Sequence, residues 1–227
     1  MEDIKTCAPV VNLPLIGDKA PEFEAVTTNG AINFPKDMKG KWVILFSHPA
    51  DFTPVCTTEF MTFTTMQDDL KALNCELIGL SIDSIHSHIA WLRKIEEMHW
   101  KDIKNPKVKF PVIADISMEV AKKYGMIHSQ SSTNAVRAVF FIDPNGIVRT
   151  ILYYPASLGR NFHEIKRILL ALQKADADSV ATPADWLPGE DTIIPAPSTC
   201  EGAEKRWDEE QCDKAYCLDW FLCFNKE

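Results

Sequence analysis

One cysteine, Cys56, stands where a chain would place an anion. The stretch His48-Pro49-Ala50-Asp51-Phe52-Thr53-Pro54-Val55-Cys56-Thr57-Thr58-Glu59 joins an apolar run, Trp42–Phe46, to a helical pattern, Thr58–Leu73. Thr53 suits an N-cap and Pro54 suits the first helical position. Cys56 is then the third helical residue, where a capping box would hold Glu or Gln. Free N–H groups and the helix dipole favour negative charge there, which for a cysteine means the thiolate. A thiolate at a strand-to-helix turn is a candidate nucleophile. The bland alternative is a small buried hydrophobe at a helix start. Capping alone leaves both readings open.

The remaining cysteines are unevenly placed. The chain has seven: Cys7, Cys56 and Cys75, then Cys200, Cys212, Cys217 and Cys223 within its last 28 residues. A zinc site from the last four is weak, because only one of their gaps falls in the common two-to-four spacing. Cys217 and Cys223 are six positions apart. That is about 9 Å of rise on a helix and about 20 Å along a strand. Both exceed the roughly 7 Å Cα limit for a disulfide, so a bond between them demands a loop. Cys75 begins an apolar run and reads as buried and inert. His86-x-His88 has no third metal ligand close in sequence, so these two read as surface or core histidines and no metal is expected.

The elements that must position Cys56 are those of an α/β domain. Trp42–Phe46, Glu76–Ile82 and Ala138–Ile142 are short apolar runs that read as buried strands. Phe60, Phe63, Met66, Leu70 and Leu73 recur at helical spacing, as do Ile85, Ile89, Leu92 and Ile95. Asp143-Pro144-Asn145-Gly146 marks a hairpin turn, and Asn161–Lys174 a last amphipathic helix. Alternating strands and helices imply a central sheet covered on both faces. After Lys174 the texture changes. Asp176–Pro197 carries four prolines and reads as an extended arm; a short acidic helix near Ala203–Ala215 and an aromatic tail, Tyr216–Phe224, follow. Such a tail must be buried against its own domain or a second chain.

Composition excludes several classes. The 227 residues are 46% hydrophobic and 25% charged, and carry a net charge of −8. An acidic chain without a basic run argues against nucleic acid or an anionic membrane as partner. No apolar run approaches the roughly 20 residues of a spanning helix, and the acidic N-terminus lacks a signal core. A cytoplasmic location is the expectation, and there clustered cysteines do chemistry more often than they staple.

The pattern Pro49-x-x-x-Thr53-x-x-Cys56 resembles the active-site signature of the peroxiredoxins. Gly17-Asp18-Lys19-Ala20-Pro21-Glu22-Phe23, Ser81-Ile82-Asp83-Ser84 with His88-Ile89-Ala90-Trp91, and Asn134–Pro144 resemble further family segments. Tyr154-Pro155, Gly159-Arg160-Asn161 and Glu164-Ile165 resemble the entry to the family's final helix. The long arm resembles the peroxiredoxin-6-like, 1-Cys-type branch. The resemblance implies a thioredoxin-like α/β fold, with a central mixed sheet flanked by helices over residues 7–172 and a C-terminal arm over 173–227. It implies a thiol-dependent peroxidase acting on hydrogen peroxide and organic hydroperoxides without a cofactor. Cys56 would be the nucleophile that becomes a sulfenic acid. Thr53 would offer its hydroxyl, Pro49 would exclude water, and Arg137 would stabilise the thiolate and orient the peroxide. Arg160 would add a second layer of positive charge. His48 reads either as a wall residue hydrogen-bonded near Cys56 or as a satisfied histidine, and Glu59 as an arginine's partner.

The resemblance also bears on the tail. No Val-Cys-Pro segment of the two-cysteine type is present, whereas Cys217-Leu-Asp-Trp-Phe-Leu-Cys223 resembles the CxDWWxC ending of archaeal and some bacterial members. By that resemblance Cys223 is the resolving cysteine, bonding Cys56 of a partner subunit, and Cys217 an auxiliary thiol. An external thioredoxin-like dithiol would be the reductant. A homodimer with exchanged arms, and a decamer of five dimers, are implied likewise. Two rivals remain. A disulfide oxidoreductase on the same fold expects Cys-x-x-Cys, yet Thr57, Thr58 and Glu59 follow Cys56. A redox-switched holdase would use the aromatic tail.

Overall fold

The computed structural model describes residues 13–127, 135–208 and 215–227. They divide into two compact units, one reaching Arg160 and one from Asn161 to Glu227.

The first unit opens with a hairpin, β1 (Phe23–Thr27) and β2 (Gly30–Phe34). Its turn needs Gly30, whose φ of +106° lies in the left-handed region. A short 3₁₀ turn, Lys36–Met38, leads to β3 (Trp42–Ser47), every residue of which is buried. Helix α1 (Pro54–Ala72) follows, then β4 (Cys75–Ser81) and α2 (Ile85–Glu96). Two-residue strands β5 (His99–Trp100) and β6 (Ile103–Lys104) pair with each other. Then come β7 (Val112–Ala114), α3 (Glu119–Lys123), β8 (Arg137–Ile142) and β9 (Val148–Tyr154). The main sheet runs β2-β1-β7-β4-β3-β8-β9. β3 is parallel to β4, and β4 to β7, while β3 is antiparallel to β8. The sheet is therefore mixed, as the resemblance implies. Asp143 accepts at Oδ1 from the N–H groups of Asn145 and Ile147, which shapes the expected β8–β9 turn.

Helix α1 begins where its cap residues place it. Thr53 has extended backbone, and Pro54 supplies the first residue, whose N–H would be unused. The helix buries Phe60, Phe63, Met66 and Leu70, each worth roughly 1.5–3 kcal/mol when fully buried. Phe63 stacks on Phe46 of β3 with centroids 4.3 Å apart. This packing pins the end of β3 and the start of α1, the two ends of the loop before Cys56. Helix α2 differs from its sequence pattern. Its buried face is His88, Trp91 and Ile95, while Ile89 is exposed. The apolar pattern missed this because it counts histidine as polar, and the buried partner of His88 lies 37 residues away.

The second unit holds α4 (Phe162–Asp178), β10 (Thr192–Ile194), α5 (Cys200–Asp208), β11 (Ala215–Asp219) and β12 (Leu222–Asn225). Asn161 caps α4 by accepting from the N–H groups of His163 and Glu164. The three strands form a sheet in the order β10-β12-β11. The arm is thus more structured than its prolines suggest: Trp186 is buried, and its Nε1 donates to the Glu190 carbonyl at 2.9 Å. The aromatic tail is a hairpin, with Tyr216 stacked on Phe224. Cys7, Cys212 and the end of the expected acidic helix lie outside the described residues.

Candidate active site

Cys56 is the third residue of α1, fully buried, with a free thiol. Arg137, at the start of β8, donates from Nη1 to Cys56 Sγ at 3.3 Å. Strands β3 and β8 are paired, so the register that sets the sheet also brings this guanidinium to the helix start. The rest of its fork is held. Nε and Nη2 both donate to the Ala156 carbonyl, at 3.0 and 2.8 Å, and Nη1 also donates to Glu59 Oε2 at 2.8 Å.

Glu59 ties two arginines together. Arg160 donates to Glu59 Oε1 from its backbone N–H and Nε, both at 2.9 Å, and to Oε2 from Nη2 at 2.7 Å. Its remaining nitrogen, Nη1, donates to the carbonyls of Ser47 and Ala138. All three side chains are buried. Two guanidiniums and one carboxylate leave a net charge of +1.

Thr53 is half-buried, and its hydroxyl donates to the Ala50 carbonyl at 2.8 Å. It therefore caps α1 by backbone conformation, without a side-chain bond. Its proton is committed, and its oxygen lone pairs remain for a donor. Pro49 is buried in the same loop.

His48 is buried and bonded. Its Nε2 lies 2.9 Å from Asp51 Oδ1, and its ring stacks on Trp91 at 5.1 Å. Asp51 also meets His88, whose Nδ1 is 2.8 Å from Oδ2. Among the described residues, these are the His, Cys, Asp or Glu side chains whose ligating atoms cluster as a metal site would require, within 4.8 Å of one another. His88 therefore has the partners that its local sequence lacks, while His86 is exposed. Sequence reasoning missed Asp51 because nothing in the spacing links it to position 88. Burial lowers the His48 pKa below its ordinary value, against the opposing pull of Asp51. Burial would raise the Asp51 carboxyl, but hydrogen bonds and charge from both histidines outweigh it and hold it well below the carboxylate range.

These shifts set an acid response. A histidine held neutral costs stability once the unfolded chain can protonate, below its ordinary value of 6.5. The Asp51 contribution is complete above its ordinary value of 3.8 and fades as pH falls further. Thermal melts should show Tm falling below about pH 6.5 and again below about pH 4. His48→Phe should flatten the upper stage; an unchanged upper stage in that variant contradicts the assignment.

The other cysteines separate cleanly. Burial, with the charge of Glu76 adding to it, pushes the Cys75 thiol up to about 12, so it is inert at neutral pH. Cys200 is exposed and free. Cys217 and Cys223 face each other across the β11–β12 hairpin, with Cα atoms 4.0 Å apart, and form a disulfide. The turn at Trp220 and Phe221 supplies the loop that their spacing demands, and the four-cysteine zinc reading loses two ligands to this bond.

A buried free thiol at the start of the first helix of a thioredoxin-like sheet, with an arginine fork against its sulfur, has the geometry of one class: thiol-based redox enzymes. Comparison narrows the class. The model of the AhpC/TSA family matches residues 16–151, and that of the C-terminal domain of 1-Cys peroxiredoxin matches residues 171–210. A peroxiredoxin of Methanosarcina mazei is 64% identical over 217 residues, spanning 95% of this chain and 99% of that one. The solved structure of a yeast mitochondrial 1-Cys peroxiredoxin is similar with a TM-score of 0.81 and 37% identity, covering 95% of this chain and 100% of the other. Peroxiredoxin 6 of Arenicola marina gives 0.77 and 33%, covering 93% and 97%. The chain belongs to the peroxiredoxin family and is a thiol-dependent peroxidase. Among the described residues no helix is long and apolar enough to cross a membrane.

Proposed function

We propose that this peroxidase reduces hydrogen peroxide and organic hydroperoxides by direct attack of the Cys56 thiolate. The contact that carries the reading is Arg137 Nη1 to Cys56 Sγ, 3.3 Å, at the N-terminus of α1. In the reaction sulfur attacks one peroxide oxygen, the O–O bond breaks and negative charge moves to the departing oxygen. The donors must be placed beforehand. The Arg137 fork and the first-turn N–H groups of α1, which have no intrahelical acceptor, stabilise the charge as it spreads. Thr53, its proton given to Ala50, accepts from the peroxide O–H. Pro49 keeps water from the thiolate. Arg160 acts at one remove, holding Glu59 and through it Arg137. His48 supplies a buried base beside the helix.

Resolution by Cys223 is the reading that the tail supports. Cys223 condenses with the Cys56 sulfenic acid, releasing water and forming a mixed disulfide. The Cys217 thiolate then attacks the Cys223 sulfur, expels the Cys56 thiolate and leaves the Cys217–Cys223 disulfide. An external dithiol of the thioredoxin type reduces that bond; the yeast relative is described with a thiol-resolving mechanism via glutathione/thioredoxin systems. Exchange of the arm between two chains makes the mixed disulfide intersubunit.

The test begins from fully reduced protein and one equivalent of hydrogen peroxide. Wild type should end with Cys217–Cys223 oxidised and Cys56 free. Cys217→Ser should trap a Cys56–Cys223 covalent dimer on a non-reducing gel, and Cys223→Ser should retain a sulfenic acid. A lasting sulfenic acid in wild type, with both tail thiols reduced, sinks the relay and makes the enzyme one-cysteine. A redox-switched holdase is the second reading. It rests on Leu218 and Phe221, exposed at the hairpin, and predicts client protection that survives Cys56→Ser.

A further inference from the structure

The tail hairpin keeps an apolar tip in water. From Ala215 to Phe224 the chain carries one charged side chain, Asp219, although 25% of all residues are charged. Asp219 Oδ1 is spent inside the hairpin, accepting the Trp220 N–H at 2.7 Å. Leu218 is 69% exposed, the highest value of any large apolar side chain among the described residues, and Phe221 is 50% exposed. Trp220 lies edge-on to Phe221 with centroids 5.6 Å apart, so the two rings present one surface. Leu218 owes its exposure to the register. The pairing shifts between Cys217 and Asp219, which leaves Leu218 with no residue opposite it. Bulges of this kind re-aim side chains. Three large apolar groups held together in water mark a contact surface.

What docks there is set by the bond beside it. The Cys217–Cys223 disulfide joins the two strands one residue before Leu218. A disulfide is opened by a thiolate, and the rate depends on which sulfur that thiolate reaches. The two sulfurs differ in access. Cys223 is 1% exposed, whereas Cys217 is half-buried and lies on β11, the outer strand of its sheet. An incoming thiolate therefore meets Cys217. The occupant of the tip must also bring an apolar face around its own thiol, since the tip offers it no charge beyond Asp219. A small hydrophilic thiol such as glutathione gains nothing from Leu218, Trp220 and Phe221.

We propose that Leu218, Trp220 and Phe221 are the docking surface for a dithiol protein of the thioredoxin type, which opens the disulfide by attack on Cys217. The inference rests on the Cys217–Cys223 disulfide being the product of turnover. The exchange balances. The reductant's thiolate attacks Cys217 Sγ, and an S–S bond forms between the two proteins. The Cys217–Cys223 bond breaks, and its electron pair leaves on Cys223 Sγ, which takes a proton from water. The Asp219 carbonyl, 3.5 Å from that sulfur, accepts the new S–H. The reductant's second thiolate then attacks its own sulfur in the mixed disulfide. Its disulfide closes, and Cys217 leaves as a thiolate. Two electrons pass from the dithiol to the hairpin, and Cys223 is the first thiol set free.

The test starts from protein whose tail disulfide has been closed with diamide, so it does not depend on peroxide. A thioredoxin with its second active-site cysteine changed to serine is the trap. The mixed disulfide should map to Cys217, with Cys223 released as a free thiol; a trap on Cys223 overturns the proposal. Wild-type thioredoxin and dithiothreitol then serve as paired reductants. Leu218→Asp and Phe221→Asp should each lower kcat/KM for thioredoxin about tenfold, the scale of a docking residue, and leave the dithiothreitol rate within about twofold. Equal falls with both reductants, or no fall with thioredoxin, overturn the docking surface. So does glutathione that opens the wild-type disulfide as fast as thioredoxin at equal thiol concentration. Client protection lost in these variants with thioredoxin turnover intact gives the surface to the holdase instead. Failure of the underlying reading looks different: hydrogen peroxide then leaves both tail thiols of the reduced wild type unoxidised, whatever thioredoxin does to the diamide-closed bond.

Discussion

Cys56→Ser should lower kcat/KM for hydrogen peroxide by about 10⁴-fold or more. The exchange alters one buried atom and little else. A serine hydroxyl can still accept from Arg137 Nη1, and the helix start keeps Thr53 and Pro54. What is lost is the sulfur nucleophile, which a serine hydroxyl without an activating base does not replace. Stability should move by no more than about 1 kcal/mol, since the cavity and its hydrogen bond persist. Peroxide consumption on protein shown to be folded by its thermal melt gives the answer. Cys75→Ser and Cys200→Ser are the controls. One thiol is pushed up to about 12 at the start of β4, and the other is exposed on α5, so neither change should alter the rate by more than about twofold. Turnover retained in Cys56→Ser would move the chemistry to another residue and remove the basis of the proposed mechanism.

How far the sequence carries depends on how far apart the cooperating residues lie. Cys56 is legible because its cap, its proline and its dipole all belong to one turn of chain. The buried strands β3, β4 and β8 are legible because each is a continuous apolar run, and the β8–β9 hairpin because Asp143–Gly146 spells its turn. The first hairpin and β7 are not legible, since five-residue and three-residue strands with mixed burial carry little periodicity. The tail fails differently. Read as a lone helix or strand, positions 217 and 223 cannot meet; folded at Trp220 they are direct partners. Arg137 and Arg160 were assigned through resemblance alone, because strand and loop positions 81 and 104 residues past Cys56 have no local signature. Asp51 with His88 has no local signature, and the α2 pattern accordingly includes the buried Ile95 but also the exposed Ile89 in place of His88 and Trp91. In each case local pattern reports the element, and only tertiary pairing reports which side chains share a charge.

Glu59 is where that shared charge makes the second large effect. Glu59→Gln should destabilise the protein by about 3–5 kcal/mol, the usual cost of removing one partner from a buried ion pair. Three donors of Arg160, counting its backbone N–H, and one of Arg137 converge on this carboxylate, and both guanidiniums are buried. Glutamine keeps one oxygen for them but turns an amide N–H₂ towards cations. The midpoint of urea unfolding should fall accordingly, with m unchanged. Arg137→Lys separates stability from chemistry. A lysine keeps the charge but cannot serve Cys56 Sγ, Glu59 and the Ala156 carbonyl together from one ammonium. It should therefore lose about 10²–10³ in kcat/KM, the scale of one preorganised charge-stabilising donor, at a smaller cost in stability than Glu59→Gln. The two variants should thus rank oppositely in stability and in rate. If Glu59→Gln left the urea midpoint in place, the +1 balance between two arginines and one carboxylate would not be what holds this site together. The placing of Arg137 against Cys56 would then rest on its own bonds to the Ala156 carbonyl.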